Sequence, residues 1–271
     1  MDEKKMTLED LVDWLDDNDV SYEIDDTGRL AVKDSLMENL RTWVKDHGYT
    51  SLPDELFHVN GSLWLEQTSI VSLGGLTSVG GDLNLWNTSI TSLGNLTSVG
   101  GFLNLRNTPL ASLGNLTSAG GWLNLRGVPI TSLGNLTSVG GYLDLEGAPI
   151  TSLGNLTSVG GDIDLKGTSI TSLDNLTFVG WNLILEGAPI TSLGNLPQVG
   201  EHLYLDRDQF QLLTKEALQK VKGKIRYWGQ AIKKWIDLSP PELEAILAEN
   251  EQRESLNNTR ESDVDWDLYD R

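Results

Sequence analysis

The sequence predicts a right-handed parallel β-solenoid, closed by a helix-and-hairpin cap at its N-terminal end and a helical cap at its C-terminal end. Three observations carry this. Seven units of 20 residues run without a gap from Gly61 to Gly200, and self-similarity at a fixed period marks a stacked-repeat architecture. Each unit holds a Leu-x-Leu triplet, such as Leu83-Asn84-Leu85, or in one unit Ile163-Asp164-Leu165, whose apolar residues share one face of a strand while the middle residue faces the other way. Only 39% of the 271 residues are apolar and 28 are glycine, which suits an extended, repetitive chain better than a compact enzyme. The chain divides into an α-β-β-α cap over 1–60, the solenoid over 61–210, a helical cap over 211–250 and an acidic, disordered tail over 251–271.

The N-terminal cap begins with a helix. Thr7-x-x-Asp10 opens it with an acidic first turn, and Leu8, Leu11, Val12 and Leu15 share its inner face. Val20–Ile24 and Arg29–Lys33 are strands around the turn Asp25-Asp26-Thr27-Gly28. Asp34 is the candidate cap of a second helix with Leu36, Leu40, Trp43 and Val44 inward and Gly48 as its stop. A solenoid needs such caps, because its terminal leucines have no neighbouring coil.

Within the repeat, Leu93, Leu96 and Val99 and their equivalents close the leucine column from the opposite wall. Asn95, Asn115, Asn135, Asn155, Asn175 and Asn195 recur at one turn, where a side-chain amide can satisfy unpaired backbone groups. At a fixed period, the Asn-Leu-Thr triplets there are structural rather than glycosylation sites. The Gly pairs (Gly100-Gly101, Gly120-Gly121) provide either positive φ or close approach between coils. The non-strand side is too short for an α-helix, so extended or 3₁₀ structure is expected there.

The motif resembles the leucine-rich repeat, L-x-x-L-x-L-x-x-N-x-L, at its shortest common length. Leu83-Asn84-Leu85 and Leu103-Asn104-Leu105 match its strand, and Ile90 and Leu110 its next apolar position. Two positions depart from it. Gly80, Gly100 and Gly120 replace its first leucine, and Thr88, Thr108, Val128, Ala148, Thr168 and Ala188 replace its asparagine. The wording is similar to short repeats of bacterial and bacteriophage proteins and to receptor L domains. The resemblance covers about half the chain and speaks to architecture, not ligand.

After Gly200 the pattern loosens, with Asp174, Phe178, Trp181 and Pro197 already departing from consensus. Phe178 and Trp181 are read as bulk where the column meets its cap. Leu218, Val221, Ile225, Trp228, Ile232 and Trp235 are spaced as one face of an amphipathic helix over about 214–236, with Lys215, Lys220, Lys222, Lys224, Arg226, Lys233 and Lys234 on its polar side. That helix is read as a cap, with self-association and membrane-surface binding as the alternatives. Ser239-Pro240 opens a further short helix. The tail ends in an acidic run around Trp266, Leu268 and Tyr269, read as a solubilising end or a docking motif.

Composition excludes several chemistries. With no cysteine and three scattered histidines, His47, His58 and His202, thiolate catalysis and cysteine metal sites are ruled out; no cofactor is implied. A net charge of −19 argues against direct nucleic-acid binding. There is no apolar run long enough for a membrane span and no secretory-type start, so the expected compartment is the cytoplasm, that of a bacterial host if the chain is phage-encoded.

What varies between repeats is the outward side of the Leu-x-Leu strands. One column reads Ser62, Asp82, Phe102, Trp122, Tyr142, Asp162, Asn182, His202; the next Trp64, Asn84, Asn104, Asn124, Asp144, Asp164, Ile184, Tyr204; the third Glu66, Trp86, Arg106, Arg126, Glu146, Lys166, Glu186, Asp206. Phe102, Trp122 and Tyr142, flanked by Trp86, Arg106 and Arg126, have the aromatic-plus-arginine composition of protein-binding hot spots. Asp144, Asp162 and Asp164 set charge complementarity beside them. The function expected is therefore non-enzymatic binding of a partner protein, including a basic or nucleic-acid-binding host factor sequestered by a phage or prophage protein. The alternative is a self-assembling or surface-binding solenoid for glycan or ice, the latter because Thr91, Thr131, Thr151, Thr171 and Thr191 form a regular ladder.

Overall fold

The computed structural model describes residues 4–229 and 234–243. Chain entry follows the expected order: helix α1 (Leu8–Asp17), strands β1 (Tyr22–Ile24) and β2 (Leu30–Val32), and helix α2 (Glu38–His47). Thr7 and Asp10 form a reciprocal capping box on α1, which satisfies two otherwise orphaned amides. The inner face of α1 is Leu11, Trp14 and Leu15, with Leu8 and Val12 half-buried. Asp34 does not cap α2. Its carboxylate instead accepts the Ser21 amide at 2.8 Å, and α2 starts after Met37 without a side-chain cap. Leu36 has left the helix to bridge Leu63. Gly48 ends α2 at φ +67°, the left-handed geometry that suits glycine at a helix stop.

From here the chain winds as a parallel β-solenoid of about eight turns with a period of 20 residues. Each coil contributes two short strands. Those of the Leu-x-Leu triplets (Leu63–Trp64, Leu83–Asn84 and so on to Leu203–Leu205) form one wall, the Leu sheet. Those at Ser78–Val79, Ser98–Val99 and onward to Gln198–Val199 form the opposite wall, the Val sheet. Among the described residues both sheets have ten strands. Register is strict: Leu83 pairs with Leu103, and Val139 with Val159. The side opposite the Leu-x-Leu strands is thus extended and itself sheet-forming, so both walls advance by one strand spacing per coil.

Six apolar positions per coil, such as Leu83, Leu85, Ile90, Leu93, Leu96 and Val99, are at most 6% exposed. Full burial of each stabilises by about 1.5–3 kcal/mol, so the column is the core. Gly94, Gly114, Gly134 and Gly154 turn the chain at φ +56° to +59°. The Gly100, Gly120, Gly140 series serves close approach instead. A Cβ on Gly140 would sit 1.9 Å from the Gly120 carbonyl oxygen.

Polar ladders complete the stack. Thr97, Thr117, Thr137, Thr157 and Thr177 each donate their hydroxyl to the carbonyl 20 residues back, at 2.9–3.0 Å. The amides of Asn115, Asn135 and Asn175 donate to Gly94, Gly114 and Gly154 carbonyls at 3.1–3.3 Å. Thr88 and Thr108, which stand where the repeat motif has asparagine, donate to Leu85 and Leu105 carbonyls within their own coil at 2.8 Å.

The C-terminal cap differs from the expected long helix over 214–236. Two one-turn helices, Arg207–Phe210 and Lys215–Leu218, are followed by strands Ile225–Gly229 and Lys234–Leu238. The first strand pairs parallel with Leu203–Leu205 and the second folds back antiparallel. Leu218, Val221 and Ile225 are buried as their spacing implied, but as the inner face of one more coil. Gly223 interrupts the helical run, and the open edge of the last Leu-x-Leu strand offers partners to the β-branched and aromatic residues after it. The helical face invoked for self-association or membrane contact is therefore not formed. Gln209 closes the coil end from inside, donating to the Leu185 and Ala188 carbonyls at 2.6 Å each. Pro240–Leu243 starts a helical turn, with the Ser239 amide bonded to Glu242. The acidic tail lies outside the described residues. Among the described residues no helix is long and apolar enough to cross a membrane.

Candidate interaction face

The outward side of the Leu sheet carries the three variable columns side by side, and each column has its own chemistry. The middle column is largely structural. Asn84, Asn104, Asn124, Asp144 and Asp164 each turn Oδ1 back to accept the amide two residues on, at 2.8–3.2 Å. Asn124 and Asp144 are only 7% and 8% exposed, so this row forms the floor of the face.

The first column is an acceptor ladder that climbs from coil to coil. Ser35 Oγ accepts the Ser62 amide, Ser62 Oγ the Asp82 amide and Asp82 Oδ1 the Phe102 amide, at 2.8–2.9 Å. The ladder resumes at Asp162, whose Oδ1 accepts the Asn182 amide at 2.7 Å; Asn182 then accepts from His202, and His202 Nδ1 from Lys224. Between these runs stand Phe102, Trp122 and Tyr142, which carry no such acceptor. The amides of Trp122, Tyr142 and Asp162 have no acceptor among the described residues. In exchange the coils gain a ring surface. Trp122 and Tyr142 meet at a centroid distance of 6.1 Å with planes inclined by 49°, and Trp122 remains 43% exposed. Phe102 is half-buried on the adjacent coil.

The third column alternates in sign. Arg126 grips Glu146 with its two terminal guanidinium nitrogens, at 2.5 and 2.8 Å, and Lys166 meets Glu186 at 3.3 Å. Arg106 is exposed and forms no ion pair among the described residues. At the N-terminal end the column turns inward. Glu66 is buried and pairs with Arg41 of α2, and the indole nitrogens of Trp64 and Trp86 are buried without a partner. Trp86 is half-buried on the coil before Phe102.

The acids leave an electrostatic mark on the centre of the face. The Tyr142 phenol is pushed up to about 12, first by burial and then by the charges of Asp144, Asp164, Asp162 and Glu146. Burial, together with the charges of Asp144 and Glu146, raises Asp164, partly opposed by the Lys166 amide. Such a field favours cations and disfavours any added negative charge.

Two exposed aromatics fall outside the expected face. Phe178 and Trp181 are 44% and 59% exposed, so they do not fill the column at its cap. Phe178 takes an outward Ser position on the Val sheet and Trp181 a Gly position at the outer corner. A shallow groove on the Val sheet runs from His58, whose Nδ1 meets Ser78 Oγ at 2.7 Å, along Ser98, Ser118 and Ser138 to Phe178. Their exposure was not legible because a bulky apolar residue in a repeat reads as core unless its register is followed. In the threonine ladder, Thr151 and Thr191 are exposed and donate their hydroxyls to the Thr131 and Thr171 carbonyls of the preceding coil. Among the described residues no group of three or more histidine and carboxylate side chains is placed to hold a metal ion.

No family model, curated protein or solved structure matches this chain.

Proposed function

We propose that the protein is a non-catalytic binding platform whose partner is a protein seated on the Leu-sheet face, from Phe102 across Trp122 and Tyr142 to Asp164. The observation that carries this reading is the substitution of rings for ladder acceptors on three consecutive coils. The fold forgoes about 0.5–1.5 kcal/mol per missing hydrogen bond there, and what it gains is exposed aromatic area. Local rules broken without a folding gain mark functional surface. The rigid stack supports the same reading, since little conformational entropy is lost when a preformed face docks.

The similarity of the repeat to short leucine-rich repeats of bacterial and bacteriophage type extends the proposal. The chain would act in a bacterial cytoplasm as a phage or prophage protein that sequesters a host factor, such as a nucleic-acid-binding protein. No cofactor enters this reading. The test is affinity capture from a bacterial lysate with the wild type beside a Trp122→Ala/Arg126→Ala variant, read by mass spectrometry. A stoichiometric protein captured by the wild type and lost from the folded variant is the expected result. A partner retained by the variant would move the site off this face.

A further inference from the structure

The charges around the ring pair say what the partner presents. We propose that the occupant of the face is a protein segment carrying two or more lysine or arginine side chains, seated between the Trp122–Tyr142 pair and the carboxylates of Asp144, Asp162 and Asp164. This deepens, and rests on, the reading of the Leu sheet as the docking surface.

Some charges of the face are already met. Arg126 is held by Glu146 and Lys166 by Glu186. Asp144, Asp162 and Asp164 have no ion pair with any described residue, and they stand on adjacent coils beside the rings. Their orientation is fixed, because each spends one oxygen on a backbone amide. Asp162 and Asp164 are half-buried and Asp144 is 8% exposed, so these carboxylates are held on a rigid scaffold, the condition under which charge complementarity sets specificity. A cation leaving water for this site meets ring faces as well as carboxylates, and aromatic faces attract cations. The amides of Trp122, Tyr142 and Asp162, which have no acceptor among the described residues, lie along the same column. A protein segment supplies such cations. A nucleic-acid backbone would bring negative charge to the acids, and a neutral glycan would leave three carboxylates unanswered.

A second copy of the chain is the competing occupant, since Lys222 and Lys224 are exposed beside Lys220 near its C-terminal end. The same experiment separates the cases. Fluorescein-labelled dodecapeptides (Lys-Gly)6, (Ser-Gly)6 and (Glu-Gly)6 are titrated against the full chain by anisotropy at low salt. The variant Asp144→Asn/Asp162→Asn/Asp164→Asn keeps every Oδ1 acceptor and removes three charges. The control Asp13→Asn/Asp17→Asn/Asp26→Asn removes three exposed charges from the N-terminal cap. The expected result is binding of (Lys-Gly)6 alone, weakened about tenfold in the face variant and less than about twofold in the control. Shifts of the Trp122, Tyr142 and Asp162 amides should accompany it in a nitrogen–proton spectrum.

Equal weakening in both variants, equal binding of (Ser-Gly)6, or stationary face amides each overturn the proposal. So does a dimer in sedimentation velocity that Lys220→Glu/Lys222→Glu/Lys224→Glu dissociates. If the lysate partner still depends on Trp122 and Arg126 while the lysine peptide ignores the face, only the cationic occupant fails. If neither depends on it, the docking surface fails as well.

Discussion

The steric role of the paired glycines is tested most directly at Gly140. Substitution by alanine would place a Cβ 1.9 Å from the Gly120 carbonyl oxygen and 2.7 Å from its carbon. Backbone is the obstacle, so no rotamer relieves the clash, and the coils must part by more than about 1 Å to restore ordinary contact. Two coil-to-coil hydrogen bonds sit at that spot, Gly140 to Ala119 at 2.8 Å and Gly141 to Gly121 at 2.9 Å. Losing both costs roughly 1–3 kcal/mol, and the forced backbone shift adds about 1–3 kcal/mol. The expected destabilisation is therefore roughly 2–6 kcal/mol. Gly134, in the same coil, is the comparison. A Cβ there would meet nothing within 4 Å, and its φ is +56°, so alanine costs only the left-handed backbone, about 1–2 kcal/mol. Asp174 occupies the equivalent position at φ 48°, which shows that the turn accepts a side chain. Urea unfolding followed by far-ultraviolet circular dichroism compares the two variants within one array. A Gly134→Ala cost equal to or above that of Gly140→Ala would refute the reasoning, since the paired glycines would then serve conformation and not approach.

Leu123 is fully buried in the central coils, and Leu123→Ala should cost about 2–5 kcal/mol in the same assay. Arg126→Ala should change stability by no more than about 1 kcal/mol, because both members of its ion pair are about half exposed; a melting curve checks this and validates the capture variant. Tyr142 should ionise well above the usual phenol range in an absorbance titration at 295 nm, a component isolated by Tyr142→Phe. Because its folded value is raised to about 12, its contribution to stability is intact below the unfolded value near 10 and is lost as pH climbs from about 10 to about 12. Asp164 is raised as well, so its contribution is intact at low pH and lost as pH rises through the folded value. Asp164→Asn, which keeps the acceptor for the Lys166 amide, should match or exceed wild-type stability at pH 7 and lose that advantage on acidification; a deficit at pH 7 would contradict the assignment.

The architecture was legible because one apolar pattern repeats at a fixed period, so each coil reports on the next. The Leu-x-Leu wall, the capping box at Thr7 and the stop at Gly48 all follow from local rules. What escaped the sequence depends on distances between coils or on competition between partners. The helical spacing of Leu218, Val221 and Ile225 fits a helix and a coil corner equally, and only the open edge of Leu203–Leu205 decides between them. Asp34 has the chemistry of a helix cap, yet the Ser21 amide across the hairpin claims it. The outward columns could be written down from the pattern, and the grouping of Trp122 with Tyr142 followed from adjacency. The acceptor ladder could not. A serine, an aspartate, an asparagine and a histidine look unrelated in sequence and become equivalent only when each is seen holding the next coil's amide. That equivalence is what turns Phe102, Trp122 and Tyr142 from varied residues into an interruption.

The two ends of the stack govern how the molecule behaves in a crowd. Each wall finishes in a hairpin at one end, β1 against β2 for the Val sheet and Ile225–Gly229 against Lys234–Leu238 for the Leu sheet. The outermost strand at each of these ends runs against the direction of every coil behind it. A second solenoid arriving end-on would have to add in parallel to both walls at once, and a reversed strand blocks the match on one of them. The repeat that lets the chain lengthen by whole coils thus ends, on each wall, in a reversed strand that interrupts the parallel edge a further coil would extend.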